Sequence, residues 1–209
     1  MRNRILFQDK IGMSSRAVNF RAPNIRLRIF VADSITIPDL SDINLPSDRI
    51  DTIDKDGKGT LKGVLDDSSE EMCTDIDEMH IRGALNDADI IIAFYKDETI
   101  LGFLLGQLKD LKTLYISLIC TTPSYKGVGT RLIRIIKRIA FVNDINTIAL
   151  DAVTSAKNFY RRRKFIETPT IPERMTYNMK MAYAIAESRP RKTKGGRKPT
   201  KHLSTTRKR

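Results

Sequence analysis

The chain has 209 residues, with 37 Lys and Arg against 25 Asp and Glu, for a formal net charge of +12. An apolar content of 41% supports a buried core and excludes wholesale disorder, and the longest apolar run, Ile90 to Tyr95, falls far short of the roughly 20 residues of a membrane span. Two cysteines do not build a disulfide framework and two histidines do not by themselves build a common zinc site, so a soluble, metal-free protein without a membrane segment is expected, intracellular in the cytoplasm or nucleus.

The charge is unevenly distributed. Residues 33–90 carry sixteen acidic and five basic groups, whereas residues 188–209 carry ten basic groups and no acidic one. The excess thus sits in the last segment, which argues against a body that binds nucleic acid over its whole surface. That segment has one strongly apolar residue, Leu203. It buries too little to offset the entropy of ordering, so a disordered tail over 188–209 is expected behind one domain over 1–187.

In chain order, Ile25, Leu27, Ile29 and Val31 alternate with Asn24, Arg26, Arg28 and Phe30, the period of a half-buried strand. Pro38, Pro46 and the cluster from Asp54 to Gly59 read as loops, and 68–86 reads as one or two helices opening at Ser68 or Ser69. Three strands follow at 88–95, 99–107 and 113–120, separated by the short breaks Lys96-Asp97-Glu98 and Asp110-Leu111-Lys112, as in an antiparallel meander. The period then changes. Leu132, Ile135, Ile136 and Ile139 lie on one face among Arg131, Arg134, Lys137 and Arg138, which predicts an amphipathic helix over 128–142. A strand at 147–153, a helix from a Thr154 or Ser155 cap to Arg163, and strands at 165–168 and 175–183 complete an α/β pattern.

The chemistry concentrates where the third strand of the meander leaves for the long helix. Leu118, Ile119 and Cys120 close the strand, and Ser124, Tyr125, Lys126, Gly127, Val128, Gly129, Thr130 and Arg131 make the turn and first helical residues. Free N–H groups and the dipole at a helix N-terminus attract anions, and glycines allow close backbone approach. No Gly-Lys-Ser/Thr and no three-glycine fingerprint is present, so neither a Walker loop nor a dinucleotide fold is indicated.

Some thirty residues on stands Ala156-Lys-Asn-Phe159-Tyr160-Arg-Arg-Arg-Lys164-Phe165. Together with Ser124-Tyr-Lys-Gly127-Val-Gly129, it resembles in frame the motifs of the GCN5-related N-acetyltransferase superfamily. The resemblance covers roughly 88–183. Three positions depart from the family pattern: Ser124 where Arg or Gln is usual, Lys164 where Gly is usual, and Val153 where many members have Asn.

The resemblance implies a central mixed, mostly antiparallel sheet with flanking helices, whose fourth and fifth strands splay apart. It implies acetyl-CoA as acetyl donor, its pantetheine arm along Leu118–Cys120 and its pyrophosphate on N–H groups from Tyr125 to Arg131. The acetyl group would pass directly to an amine, a protein lysine, histone tail or polyamine, with Tyr160 as the acid that protonates the leaving sulfur. The acidic block 33–90 fits a cationic acceptor. No carboxylate lies within 113–120, which leaves Asp151 or a chain of waters as the base. Cys120 reads as structural, His80 as a surface residue, and 161–164 as a solvated helix end.

The tail carries a second resemblance. Arg191, Lys192, Gly195, Gly196, Pro199, Lys201, Leu203 and Thr205 fall in register with the histone-three N-terminal tail. A histone mimic, a localisation signal and an arm for nucleic acid or chromatin are the readings left open, the last as the business of a catalytically weak relative.

Overall fold

The computed structural model describes residues 16–20, 22–40, 45–73 and 76–179. The expected tail and the last residues of the strand expected at 175–183 lie outside them. Among the described residues the chain runs β1 (Arg16–Ala17), β2 (Ile25–Val31), β3 (Ile50–Ile53), α1 (Lys55–Met72), α2 (Glu78–Asn86), β4 (Ile90–Lys96), β5 (Thr99–Asp110), β6 (Thr113–Thr121), β7 (Tyr125–Lys126), α3 (Val128–Val142), β8 (Thr147–Asp151), α4 (Lys157–Arg161), β9 (Ile166–Thr168) and β10 (Ile171–Asn178).

Ile90 to Tyr95 are buried without a break, which a strand achieves only when both faces are covered. Ile90, Ile92 and Phe94 pack toward α3, together with Leu132, Ile136 and Ile139. Ile91, Ala93 and Tyr95 pack toward α1 and α2, against Leu61, Leu65, Ile81 and Leu85. The sheet order is β3-β2-β4-β5-β6-β8-β10-β9. Within this sheet, among the described residues, only the β2/β3 and β6/β8 pairs are parallel and the other neighbours are antiparallel; β1 and β7 form a separate parallel pair. The parallel β6/β8 pair requires a crossover, and α3 supplies it. The expected mixed, mostly antiparallel sheet with flanking helices is what forms.

The acidic region departs from its expected course. Helix α1 begins at Lys55, where the glycines of 54–59 spoke for a loop, and Ser68 lies within it. Asp54 explains the start: its carboxylate accepts from Gly57 N–H at 2.8 Å, a side-chain cap. Burial of Leu61 and Leu65 against the sheet then outweighs the cost of about 1 kcal/mol for each helical glycine. Ser68 caps nothing; its hydroxyl donates to Val64 O one turn back. The short strand β3 had no periodic signal of its own, and β2 buries Phe30 under α1 rather than exposing it.

The two cysteines pair with each other, which agrees with a structural reading of Cys120. Cys73, just past α1, is bonded to Cys120 of β6, 47 residues away. The turn at 154–156 is a 3-10 segment that runs into α4 with no capping side chain, so neither Thr154 nor Ser155 is the expected cap. After α4, Lys164 takes φ +70°, the left-handed conformation for which glycine is usual. The turn still closes, with Phe165 N–H donating to Tyr160 O at 3.1 Å.

Candidate functional site

Strands β6 and β8 are paired only at Thr113, Leu114 and Tyr115 with Thr147, Ile148 and Ala149. Beyond Tyr115 they part, and β6 keeps β5 on one side with no strand on the other among the described residues. Leu118, Ile119 and Cys120 are buried, Leu118 and Cys120 toward α1 and α2, Ile119 toward α3. Their side chains belong to the core, so this stretch offers a ligand its backbone edge.

At the head of the wedge a bulge interrupts the β5/β6 register. Leu105 faces Leu118 and Gly106 faces Ile116, leaving Ser117 as the extra residue. Ser117 is buried, 6% exposed. Glycine is needed opposite the open end: a Cβ on Gly102 would stand 2.8 Å from the Cys120 carbonyl and 2.9 Å from Val128.

The turn after β6 delivers a helix N-terminus with no internal cap. Gly127 sits at φ +96° as the N-cap residue, no side chain accepts from the first turn, and that turn holds no acidic residue. Arg131 N–H already donates to Gly127 O and Tyr125 N–H to Thr122 O. At the head of α3 the N–H groups of Val128, Gly129 and Thr130 have no intrahelical partner. Ser124 and Lys126 are exposed on the turn, and Lys126 pairs through β7 with β1. The Tyr125 hydroxyl lies 3.5 Å from Lys96 Nζ.

Arg131 makes this end electrostatically uncomfortable. A cation near a helix N-terminus opposes the dipole. The guanidinium lies 3.9 Å over the Phe20 ring, and its Nη1 is buried with no partner among the described residues. Burial and then Arg134 disfavour its charge.

Helix α4 contributes Tyr160, fully buried among Phe159 and Phe165, its hydroxyl without a partner. Burial pushes the phenol well above its ordinary pKa, only partly offset by Arg163, so it remains a proton donor at neutral pH. The expected solvated run 161–164 divides. Arg161 pairs with Glu167. Arg163 turns inward, donates to Thr130 Oγ1 and to Phe159 O, and is pulled down to about 10, chiefly by burial. From there a basic groove of about 400 Å³ runs along α3 between Thr130, Arg134, Lys137, Arg138, Arg163 and Tyr177.

Asp151 is not a free base. Its carboxylate takes the Arg174 guanidinium, Nε on one oxygen and Nη2 at 3.2 Å on the other. It also stands against the Tyr115 hydroxyl, which burial and then the Asp151 charge push well above the usual tyrosine range. Tyr115, Asp151 and Arg174 thus tie β6, β8 and β10 together where the wedge opens. Sequence reasoning missed this network, the bulge at Ser117 and the inward turn of Arg163. The pairing of Arg174 with Asp151 spans 23 residues and leaves no local pattern.

A second cavity of about 520 Å³ lies on the other face of the sheet, between α2 and strands β5 and β6. Its polar lining is Asp77, His80, Asp87, Gln107, Lys109 and Ser117. Two carboxylates therefore face a space that ends on the bulge. No helix among the described residues is long and apolar enough to cross a membrane.

No curated protein matches the chain. Among solved structures, the ribosomal-protein-S18-alanine N-acetyltransferase of Escherichia coli aligns at TM-score 0.49 and 14% identity, over 57% of this chain and 88% of that one. The Thermoplasma acidophilum PaiA N-acetyltransferase, solved with coenzyme A, aligns at 0.45 and 17%, over 60% and 95%. A longer Pyrococcus horikoshii chain, assigned to the acetyltransferases, aligns at 0.45 and 16%, over 52% of this chain but 41% of its own length. The model of the acetyltransferase (GNAT) family matches residues 61–165, half of the chain, and the protein belongs to that family of N-acetyltransferases, whose fold binds acetyl-CoA.

Proposed function

We propose that the protein moves an acetyl group from acetyl-CoA directly to a cationic amine, using the wedge between β6 and β8. The observation that carries this is the bare N-terminus of α3 beside a buried, partnerless Arg131 Nη1. Val128, Gly129 and Thr130 would hold the pyrophosphate on backbone N–H groups, with Arg131 as counter-ion. The open edge of Leu118–Cys120 would pair with the pantetheine arm as an added strand does. The groove along Lys137 and Arg163 suits the phosphates of the nucleotide end.

Bound acetyl-CoA supplies an activated thioester; the chain supplies position and protons. Backbone N–H groups at the β6 bulge would stabilise charge growing on the acetyl oxygen, typically worth about 3–4 kcal/mol per donor. The amine nitrogen bonds to the acetyl carbon as the carbon–sulfur bond breaks. Tyr160 gives its proton to the departing sulfur. The acceptor enters from the α2 side, where Asp77 and Asp87 favour a cation such as a protein lysine, a histone tail or a polyamine. The basic segment 188–209 serves as a separate arm toward nucleic acid or chromatin, outside the chemistry.

Labelled acetyl-CoA offered with lysine peptides, a histone-tail peptide and polyamines tests the reading. Label is expected in at least one cationic amine and absent from neutral alcohols. Deleting 188–209 is expected to leave turnover on a small amine unchanged while abolishing salt-sensitive binding to DNA. Failure to bind coenzyme together with no labelled product overturns the proposal.

A further inference from the structure

The negative charge of 33–90 is only partly met within the fold. Asp33, Asp51, Asp66 and Glu78 are paired with lysines or arginines. Asp77 and Asp87, at the two ends of α2, have no ion pair among the described residues, and both line the cavity of about 520 Å³ on that face of the sheet. Asp77 Oδ1 accepts from Met79 N–H at 2.8 Å, which caps the helix and leaves the charge unmatched. Ser117, only 6% exposed, lines the same cavity at the β6 bulge. Lys109, across the cavity, turns its ammonium to Gln107 Oε1, 5.5 Å from the Tyr115 ring centre.

The complementary charge starts close by. Residues 188–209 carry ten basic groups and no acidic one, and the described chain that leads to them ends at Met179, whose N–H donates to Asn146 O at 2.9 Å. In the row across the sheet, Asn178 faces Thr147, Thr147 faces Thr113 and Thr113 faces Asp110, the neighbour of Lys109 on the cavity wall. Those three strand spacings make about 14 Å. Thirteen residues lead from Met179 to Lys192 and fifteen to Lys194, which span roughly 45–50 Å when extended. The surplus covers the passage round the end of the sheet to the α2 face. Lys180, one residue past Met179, does not reach.

We propose that the cavity takes the chain's own basic segment and that Lys192 and Lys194 are acetylated within the same molecule, a reading that rests on the acetyltransferase function proposed above. A tethered acceptor is offered at an effective concentration of about millimolar order, falling as the tether lengthens. The shorter tether favours these two lysines over Lys198, Lys201 and Lys208. The lysine ammonium first loses one proton to water. Its nitrogen then bonds to the acetyl carbon as the carbon–sulfur bond breaks, and the second proton it sheds replaces the one Tyr160 gives to sulfur. The products are an amide, the free coenzyme thiol and one released proton. Each transfer removes one of the ten positive charges of 188–209, and with it a contact for phosphate. The arm toward nucleic acid is thereby a substrate of the site and no part of its machinery.

The test is incubation of the full chain with labelled acetyl-CoA alone, with the acetylated residues located by mass spectrometry. Label is expected first on Lys192 and Lys194, at a rate that dilution of the protein does not change. Gly127→Glu should show only the slow chemical background. Asp77→Asn combined with Asp87→Asn should slow the labelling by about tenfold, and since Asn caps a helix as well as Asp does, α2 keeps its start. Saturating 1,4-diaminobutane should be acetylated itself, protect both lysines, and turn over independently of the segment. Labelling that rises with protein concentration, spreads evenly over all lysines or ignores the aspartate changes overturns the proposal. A diamine acetylated while 188–209 stays unlabelled also overturns it, and leaves the acetyltransferase reading standing. A chain that neither binds coenzyme nor labels any amine sinks that reading, and this one with it. Should the aspartate variant fail to fold, Lys192→Arg with Lys194→Arg, outside the described residues, must remove most of the label; undiminished label refutes the assignment.

Discussion

Gly127→Glu is expected to weaken coenzyme binding by about 10³-fold while the protein remains folded. Space is not the obstacle, since a Cβ at this position meets only Phe20 Cε2, at 3.7 Å. The backbone cost falls on folding rather than on binding: φ is +96°, and a side chain there costs about 1–2 kcal/mol. Charge accounts for the loss of affinity. A carboxylate on the N–H groups of Val128 to Thr130 competes with pyrophosphate, and two such charges about 4 Å apart near a protein surface repel by about 4 kcal/mol, which is about three decades in affinity. Gly127→Asn separates the two effects, because Asn tolerates the left-handed region and carries no charge. Calorimetry with coenzyme A should place the Asn variant within about tenfold of wild type. Equal affinity of the Glu variant and wild type would remove this turn from the binding site.

Tyr160→Phe should lower turnover by about 10²–10⁴-fold, the usual worth of a general acid, with coenzyme affinity unchanged. Its effect on stability has the opposite sign to that of most core substitutions. The hydroxyl is buried without a partner, a situation that costs about 1–3 kcal/mol, so the Phe variant should melt at the same temperature or higher. Lower turnover with unimpaired stability distinguishes an acid from a packing residue; full turnover in a more stable variant would leave Tyr160 as core. The alkaline side gives a further check. Burial raises the folded pKa of Tyr160 above its ordinary value of about 10, so the unfolded chain loses its proton first. Stability contributed by this group is complete below about pH 10 and falls as pH rises beyond it. The fall should be smaller in Tyr160→Phe, as followed by denaturation across that range.

Much of the candidate site's framework was legible because its signals are local. The 3.6-residue period of Leu132, Ile136 and Ile139 placed a helix over 128–142, and α3 runs from Val128 to Val142. Gly127 at the entrance of that helix, and Tyr160 on the next one, could be singled out from their spacing and family resemblance. The acidic region was harder. Its glycines and aspartates have turn chemistry, and only contact with the sheet turns 55–72 into a helix, through Leu61 and Leu65. His80 carries a related lesson. A lone histidine among acidic residues reads as surface, and nothing in its neighbours along the chain tells that Ser117 shares its cavity.

The sequence by itself determined the class of fold, the meander, the amphipathic helix and the glycine turn that opens it. Each is set by periodicity, turn residues or backbone freedom acting over a few neighbouring positions. The parting of two central strands was expected from the family resemblance; the tertiary structure decided the residue at which it happens. Pairing of β6 with β8 stops after Tyr115, which leaves the edge of β6 beyond it open. It likewise decided that Asp151 is spent on Arg174, that Arg163 turns inward to Thr130, and that Cys73 reaches Cys120. These partners lie 23, 33 and 47 residues apart. Such contacts form because burying the two faces of one sheet brings distant segments together, and no short window of sequence encodes which distant segment arrives.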